Sequence, residues 1–283
     1  MTSKIQYARR TSGGLLTTAC IAELLDGWRG PAETWLFVSP HDDDIVLGGG
    51  LVFQAGIAEG AQVHAAVVTD GRMGYCRIEQ RESIAAIRGE EARKSFAVLG
   101  LPADRLYFLG YPDGQLTGYS GAFIRNGNAG TPAIKTVGLP QETVGLQIAF
   151  TRLLRQVRPT RVFVPTSSDL HPDHRIVHEQ LMISLFHAQG GIWPQLGEPL
   201  AELPQVYELA IYCDFPEPPQ IRVEATQAML ETKIQAIMAY GSQEQISSLV
   251  EIQRATGPVE YLRELKFRFY SPKQYNELFA RTS

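Results

Sequence analysis

Trp35-Leu36-Phe37-Val38-Ser39-Pro40-His41-Asp42-Asp43-Asp44 passes directly from an apolar run into a polar turn crowded with carboxylates. An apolar run this short, closed by a turn, reads as a strand buried on both faces. Ile45 to Ala55 follows as a helix with a glycine-rich start. Strand, tight turn and helix form the unit from which parallel sheets are built, because parallel neighbours need a crossover between them.

The unit recurs along the chain. Val63 to Thr69 and Arg105 to Leu109 are expected strands, separated by a helix over Ile78 to Leu99 that stops at Gly100. Thr143 to Val157 is expected as a helix ending before Pro159, and Arg161 to Pro165 as the next strand. His171-Pro172-Asp173-His174 comes after it, with Pro172 suited to the first position of a helix over Asp173 to Gln189. Val206 to Phe215 reads as another strand, while Glu224 to Met238 and part of Ser247 to Leu265 read as helical. The expected fold class is therefore α/β. It is a Rossmann-like, mostly parallel twisted sheet in a single domain, with helices on both faces and right-handed crossovers. In such sheets ligands bind beyond the carboxyl ends of the strands. The turn at His41, the segment at His171, Asp70 and Asp113 all fall at such ends.

With 283 residues, 44% of them apolar and 20% charged, the chain has enough apolar surface for a full core. A net charge of -4, with Arg and Lys scattered, argues against a nucleic-acid partner. No run approaches the ~20 apolar residues of an integral membrane segment. Cys20, Cys76 and Cys213 are odd in number and lack metal-type spacing, so they are expected as free, buried thiols of a cytoplasmic protein. Lys4, Arg9 and Arg10 ahead of Leu15-Leu16 faintly suggest a lipoprotein leader. Gly13-Gly14 interrupts that run and Glu23 and Asp26 follow it, so Leu15 to Leu25 is expected as an amphipathic helix. The sequence leaves room for a homo-oligomer.

His41 and Asp44 stand three apart on a turn leaving a strand, and His171 and His174 three apart across Pro172. Two neutral imidazoles and one carboxylate, with water in the fourth place, make a catalytic zinc sphere. The same donors with more open positions suit iron(II) or another divalent ion. Either segment alone is weak. Two of them at strand ends of one sheet point to a metal site.

Beyond these residues, the array Pro40-His41-x-Asp43-Asp44 with His171-Pro172-Asp173-His174 resembles the LmbE-like (PIG-L) zinc deacetylase family. The resemblance continues through Val68-Thr69-Asp70-Gly71, Arg88-x-x-Glu91, Leu109-Gly110-Tyr111-Pro112-Asp113-Gly114 and the Lys233 to Gln243 segment. It implies zinc ligands His41, Asp44 and His174, with Asp43 as general base and His171 as acid or oxyanion stabiliser. It further implies removal of an acetyl group from an acetylated amino sugar or a sugar-containing metabolite. In that scheme Asp43 takes a proton from metal-bound water, and a protonated His171 holds the developing oxyanion. The family's first motif usually reads H-P-D-D-E. Here Asp42 stands for the proline and Ile45 for the glutamate.

Arg72, Asp113 and Asp42 are weaker candidates for substrate contact. Asp70 is read as a helix cap, Arg88 and Glu91 as an intrahelical pair, Tyr111 and Tyr119 as sugar-stacking candidates, and Asp173 as a helix-start residue or a partner for His174. Residues 114–138 are expected to form a lid or substrate loop. The family core is placed at about 35–243, with a C-terminal helical extension over 244–283. Two other readings remain: a metal-dependent phosphoesterase, and a metal-stabilised sugar-binding protein without turnover.

Overall fold

The structure is a computed structural model that describes residues 4–125, 143–266, 270–276 and 279. The chain enters through strands β1 (Gln6–Thr11) and β2 (Gly14–Thr18) and a single helical turn, α1 (Ile21–Leu24). It then alternates β3 (Thr34–Ser39), α2 (Asp44–Ala58), β4 (Gln62–Thr69), α3 (Ile84–Val98) and β5 (Leu106–Tyr111). A small hairpin of β6 (Ile124–Arg125) and β7 (Thr143–Val144) precedes α4 (Leu146–Val157), β8 (Arg161–Pro165), α5 (Pro172–Gln189) and β9 (Gln205–Leu209). The chain closes with β10 (Ile221–Glu224), α6 (Gln227–Met238), α7 (Ile246–Thr256) and β11 (Val259–Leu265).

Nine strands form one sheet in the order β2-β1-β10-β11-β9-β8-β3-β4-β5. From β9 to β5 every pairing is parallel, and from β2 to β9 every pairing is antiparallel. The sheet is thus mixed in equal parts rather than mostly parallel. The parallel strands carry continuous apolar runs because helices cover both their faces. The antiparallel strands interleave Arg9, Arg222, Glu260, Arg263 and Glu264, which a search for apolar runs passes over.

Alternation along β3 divides the core. Trp35 and Phe37 face α2 and α3, in a layer with Phe53, Phe96 and Phe163, where Phe37 stacks on Phe163 at 4.2 Å. Leu36 and Val38 face α4 and α5, in a layer with Phe150, Leu154 and Leu181. Period-two alternation puts successive side chains on opposite faces. Two glycines let α2 press against the sheet. A Cβ on Gly56 would lie 2.5 Å from Trp35, and one on Gly48 would lie 2.9 Å from the Ala210 carbonyl oxygen.

Three further expectations are corrected. Leu15 to Leu25 is not one amphipathic helix: Gly14, at φ +123°, lets the chain reverse into the β1-β2 hairpin, with Leu15 exposed on the edge strand β2. The residues after 243 are not helical throughout: α7 is followed by β11, which sits between β10 and β9 in the sheet. Cys20 and Cys76 are free but exposed rather than buried. Most of the expected lid, residues 126–138, lies outside the described residues. Among the described residues, no helix is long and apolar enough to cross a membrane.

Gly56→Ala adds a methyl against the buried Trp35 ring, whereas Gly89→Ala, in the interior of α3, meets only the flexible end of Arg93 at 3.6 Å. Overpacking costs about 1–3 kcal/mol, and alanine returns up to ~1 kcal/mol of helix propensity. In urea unfolding we expect opposite signs: Gly56→Ala destabilises and Gly89→Ala stabilises by about 0.5–1 kcal/mol.

Candidate metal and catalytic site

All five parallel strands deliver residues to one end of the sheet. The turn after β3 carries His41, Asp42, Asp43 and Asp44, and Asp44 opens α2. After β4 come Gly71 and Met73, after β5 Asp113 and Gly114, after β8 Asp169 and His171, and after β9 Tyr212. His174 lies in the first turn of α5 and is fully buried. These elements bound an open cleft of about 300 Å³ lined by His41, Asp42, Asp43, Met73, Arg88, Asp113, His171, Tyr212, Gln243 and Gln245, among others.

At its base three ligand atoms face one another. His41 Nδ1 is 3.2 Å from His174 Nε2, and Asp44 Oδ2 is 3.3 Å from each. A tetrahedral ion with bonds of roughly 2.0–2.2 Å spaces its ligands about 3.3–3.6 Å apart. The triangle is therefore already the right size for such an ion. Behind it, His41 Nε2 faces Asp113 Oδ1 at 3.2 Å and His174 Nδ1 faces Asp169 Oδ2 at 3.2 Å. With a cation in place, carboxylates beside the far ring nitrogens would favour protons there and lone pairs on the inner nitrogens. Asp44 is wholly buried and its Oδ1 has no hydrogen-bond partner. Three converging acceptors and an orphaned carboxylate oxygen fit a divalent cation.

The titration of these groups shows the same demand for positive charge. Burial pushes the Asp44 carboxyl up, yet His174 and His41 hold it well below the usual carboxylate range. Burial pushes His41 down, but Asp44, then Asp113 and Asp173, raise it well above an ordinary imidazole. His41 also shares two wider groups, one with His171 and His174 and one with Asp113 and Asp173, whose ligand atoms lie within 4.8 Å of one another. The second group is less suited to an ion, because Asp113 and Asp173 already accept backbone N–H groups from Met73 and Gly114, at 3.1 and 2.8 Å.

His171 caps α5, its Nδ1 accepting from the Asp173 N–H at 3.2 Å. Burial, followed by the charges on His41 and His174, lowers its pKa. With Nδ1 taken up by that cap, Nε2 is the ring nitrogen left to meet a bound molecule. Asp43 is half-buried on the cleft wall, with Oδ2 2.9 Å from Arg88 Nη2.

The weaker candidates are otherwise engaged. Asp42 lines the cleft but is 4% exposed and gripped by Arg88, which donates from Nε to Oδ2 at 2.9 Å and from Nη2 to Oδ1. Arg72 is paired with Asp70, with Nε 2.8 Å from Oδ2. Asp70 caps no helix, its Oδ1 accepting instead from the Arg72 and Asp113 N–H groups. Asp113 serves His41 and Met73 with separate oxygens. Glu91 does not pair with Arg88 but accepts from Ser242 N and Oγ, both at 2.7 Å. Tyr111 is fully buried, its hydroxyl donating to the Val144 carbonyl, and Tyr119 packs on it.

Sequence reading missed Asp169 and Tyr212. Asp169, not Asp173, faces His174. Its signal was local: an Asp two residues before His171, whose Oδ1 accepts the His171 N–H at 3.0 Å in an Asx-type turn. Tyr212 packs its ring 5.0 Å from His174 and lines the cleft. No motif announced it.

Residues 36–184, just over half of the chain, match a family described as GlcNAc-PI de-N-acetylase, PIG-L. A 1D-myo-inositol 2-acetamido-2-deoxy-alpha-D-glucopyranoside deacetylase from Geodermatophilus obscurus is 27% identical over 231 residues, covering 78% of this chain and 71% of that protein. The N,N'-diacetylchitobiose deacetylase of Pyrococcus horikoshii shares the fold, with a TM-score of 0.63, 24% identity and coverage of 87% of this chain and 88% of the other. So does GalB, a 4-carboxy-2-hydroxymuconate hydratase of Pseudomonas putida, with a TM-score of 0.62, 19% identity and coverage of 84% and 98%.

The triangle of His41, Asp44 and His174 leads to a direct measurement. Elemental analysis of the purified protein should find one divalent ion per chain. Asp44→Ala and His174→Ala should each lose it, and Asp169→Asn should weaken it about 10–100-fold. A stoichiometric ion held at undiminished affinity by Asp44→Ala would place the metal elsewhere.

Proposed function

The chain belongs to the GlcNAc-PI de-N-acetylase (PIG-L) family, and on that premise we propose that it is a zinc-dependent hydrolase removing an acetyl group from an N-acetylated amino sugar or a sugar-containing metabolite. The observation that carries the reading is the cation-sized triangle of His41, Asp44 and His174 with the Asp43 carboxylate beside it on the cleft wall. His41, Asp44 and His174 would hold the metal, and the N2O donor set is the one zinc takes in catalytic sites, with iron(II) as the alternative. When bound, such an ion supplies Lewis acidity, which makes water a nucleophile at neutral pH and polarises a carbonyl.

The protein's own groups do the rest. Asp43 takes the proton of the water attacking the amide carbonyl carbon. As charge moves onto the carbonyl oxygen, the Nε2–H of His171 donates to it, an interaction stronger in the transition state than in the ground state. The proton held by Asp43 then passes to the amine nitrogen, the C–N bond breaks, and acetate and a free amino sugar leave. Asp113 and Asp169 keep the two imidazoles aligned throughout.

The Geodermatophilus and Pyrococcus proteins are both named as deacetylases of acetamido sugars, which supports the substrate class. The cleft volume suits a small glycoside. A phosphoesterase would need a cationic wall. Arg88 is the only Arg or Lys lining the cleft among the described residues, and it is already paired with Asp42 and Asp43. The parallel strands, in the order β5-β4-β3-β8-β9, follow the 3-2-1-4-5 pattern of a Rossmann-like sheet, and beyond their carboxyl ends is where such sheets bind ligands. Free, exposed Cys20 and Cys76 fit a reducing cytoplasm.

The fold also carries a hydratase, so the reaction must be tested by its product. Acetate release should be measured over a panel of N-acetylglucosaminides with the zinc-loaded protein. We expect turnover in the wild type, and in Asp43→Asn a loss of at least about a hundredfold in kcat with metal retained. Absence of acetate across the panel, with the metal in place, would reject the deacetylase reading.

A further inference from the structure

We propose that Asp42 is a positioning residue: it fills the fork of Arg88 and so leaves Asp43 free to act as a base. The inference rests on the role given to Asp43 above. A guanidinium fork matches a carboxylate at two points, and a buried one left half-filled will take any second carboxylate in reach. Here the two-point grip goes to Asp42, through Nε at 2.9 Å and Nη2. Asp43 receives a single contact, Nη2 to Oδ2 at 2.9 Å. Its Oδ1 has no partner among the described residues, and its side chain lines the cleft.

The geometry around the fork is tightly held. Arg88 is 4% exposed and lies over the Tyr240 ring, 4.8 Å from its centroid. The Tyr240 hydroxyl donates to the Asp42 carbonyl at 2.6 Å, so the backbone of Asp42 is held along with its side chain. Glu91, one turn along α3, secures the following segment through Ser242. Arg88 therefore has little freedom to retreat if Asp42 is removed. Asp43 is the other carboxylate that Arg88 contacts among the described residues, and a two-point grip on Asp43 would engage both oxygens and withdraw the base from the water it must deprotonate.

This gives the unusual first motif a physical meaning. The H-P-D-D-E pattern carries a third carboxylate at the position of Ile45. Here Ile45 is buried in the apolar core at 1% exposure, and the third carboxylate stands at 42, in the arginine fork. The extra acid is relocated rather than lost.

The test compares Asp42→Asn, the double variant Asp42→Asn/Arg88→Lys and Asp43→Asn, reading kcat, KM, metal content and melting temperature. We expect Asp42→Asn to lower kcat by about tenfold or more, with KM, metal content and melting temperature little changed. Adding Arg88→Lys should restore kcat to within about threefold of the wild type, because an ammonium is a point charge and cannot fork. Wild-type kcat in Asp42→Asn, or no recovery in the double variant, overturns the inference. Should Asp42→Asn fail to fold, Asp42→Glu carries the test. A refilled fork should keep kcat within about threefold of the wild type, and a loss of about tenfold or more in the folded Asp42→Glu protein overturns the inference. Asp43→Asn separates the two failures. If it still turns over, the premise about the base falls. If it is inert while Asp42→Asn is unaffected, the positioning role alone falls.

Discussion

Two imidazole nitrogens and a carboxylate oxygen held 3.2–3.3 Å apart in a buried site repel one another unless positive charge lies between them. That one constraint orders its surroundings. Asp113 and Asp169 stand behind the imidazoles, each 3.2 Å from the far ring nitrogen. Asp113, Asp173 and Asp169 are themselves restrained by the backbone N–H groups of Met73, Gly114, His171 and Tyr212. A network of this kind tolerates little slack, because every acceptor turned inward needs a donor or a cation. The parallel half of the sheet makes it feasible. It delivers five loops to a single edge, so residues far apart in sequence meet without any long excursion of the chain.

The antiparallel half serves the same end by a different route. Glu260 of β11 is buried and accepts from the N–H groups of Leu51 and Val52 in α2, at 3.0 and 2.9 Å. Its other oxygen accepts from Lys233 of α6 at 2.6 Å, and that same ammonium donates to the Leu47 carbonyl of α2. An ion pair is thereby anchored to the body of the helix whose first residue is Asp44. On the neighbouring strand β9, Glu208 is fully buried between His178 of α5 and Arg263 of β11. Both helices that present ligand residues are thus tied to β11. Breaking such a pair on one side leaves a buried charge without compensation, which is why they restrain geometry more than they add net stability.

How much of this the sequence discloses depends on how local each signal is. The parallel strands were legible because burial on both faces demands apolar runs, as in Trp35 to Val38. The strands β1, β10 and β11 were not, because one-sided burial mixes charges into the run and short strands leave little pattern. The grouping of the candidate site was legible because His41, Asp43 and Asp44 share one turn and His171 and His174 another, each at the end of a readable strand. The partners of those residues were harder to assign. Asp42 looked like a turn residue or a substrate contact until Arg88, 46 positions away, was seen to hold it. Asp173 was the nearer candidate to orient His174, yet helix geometry turns it toward Gly114 and His41 and leaves the task to Asp169.

The same distinction separates reaction from specificity. Bond breaking needs a few groups within hydrogen-bond reach of one another, and the candidates for that role here lie in two short segments after neighbouring strands. The rest of the cleft wall is assembled from Met73, Gly74, Tyr212, Gln243 and Gln245, drawn from three separate loops. Of these, Tyr212 packs its ring against His174 and is tied to the triangle, whereas Met73, Gln243 and Gln245 make no hydrogen bond to it among the described residues. Asp42 stands at the border between the two sets. Its side chain meets Arg88, which also reaches Asp43, so a change at Asp42 is felt at Asp43 through the guanidinium they share.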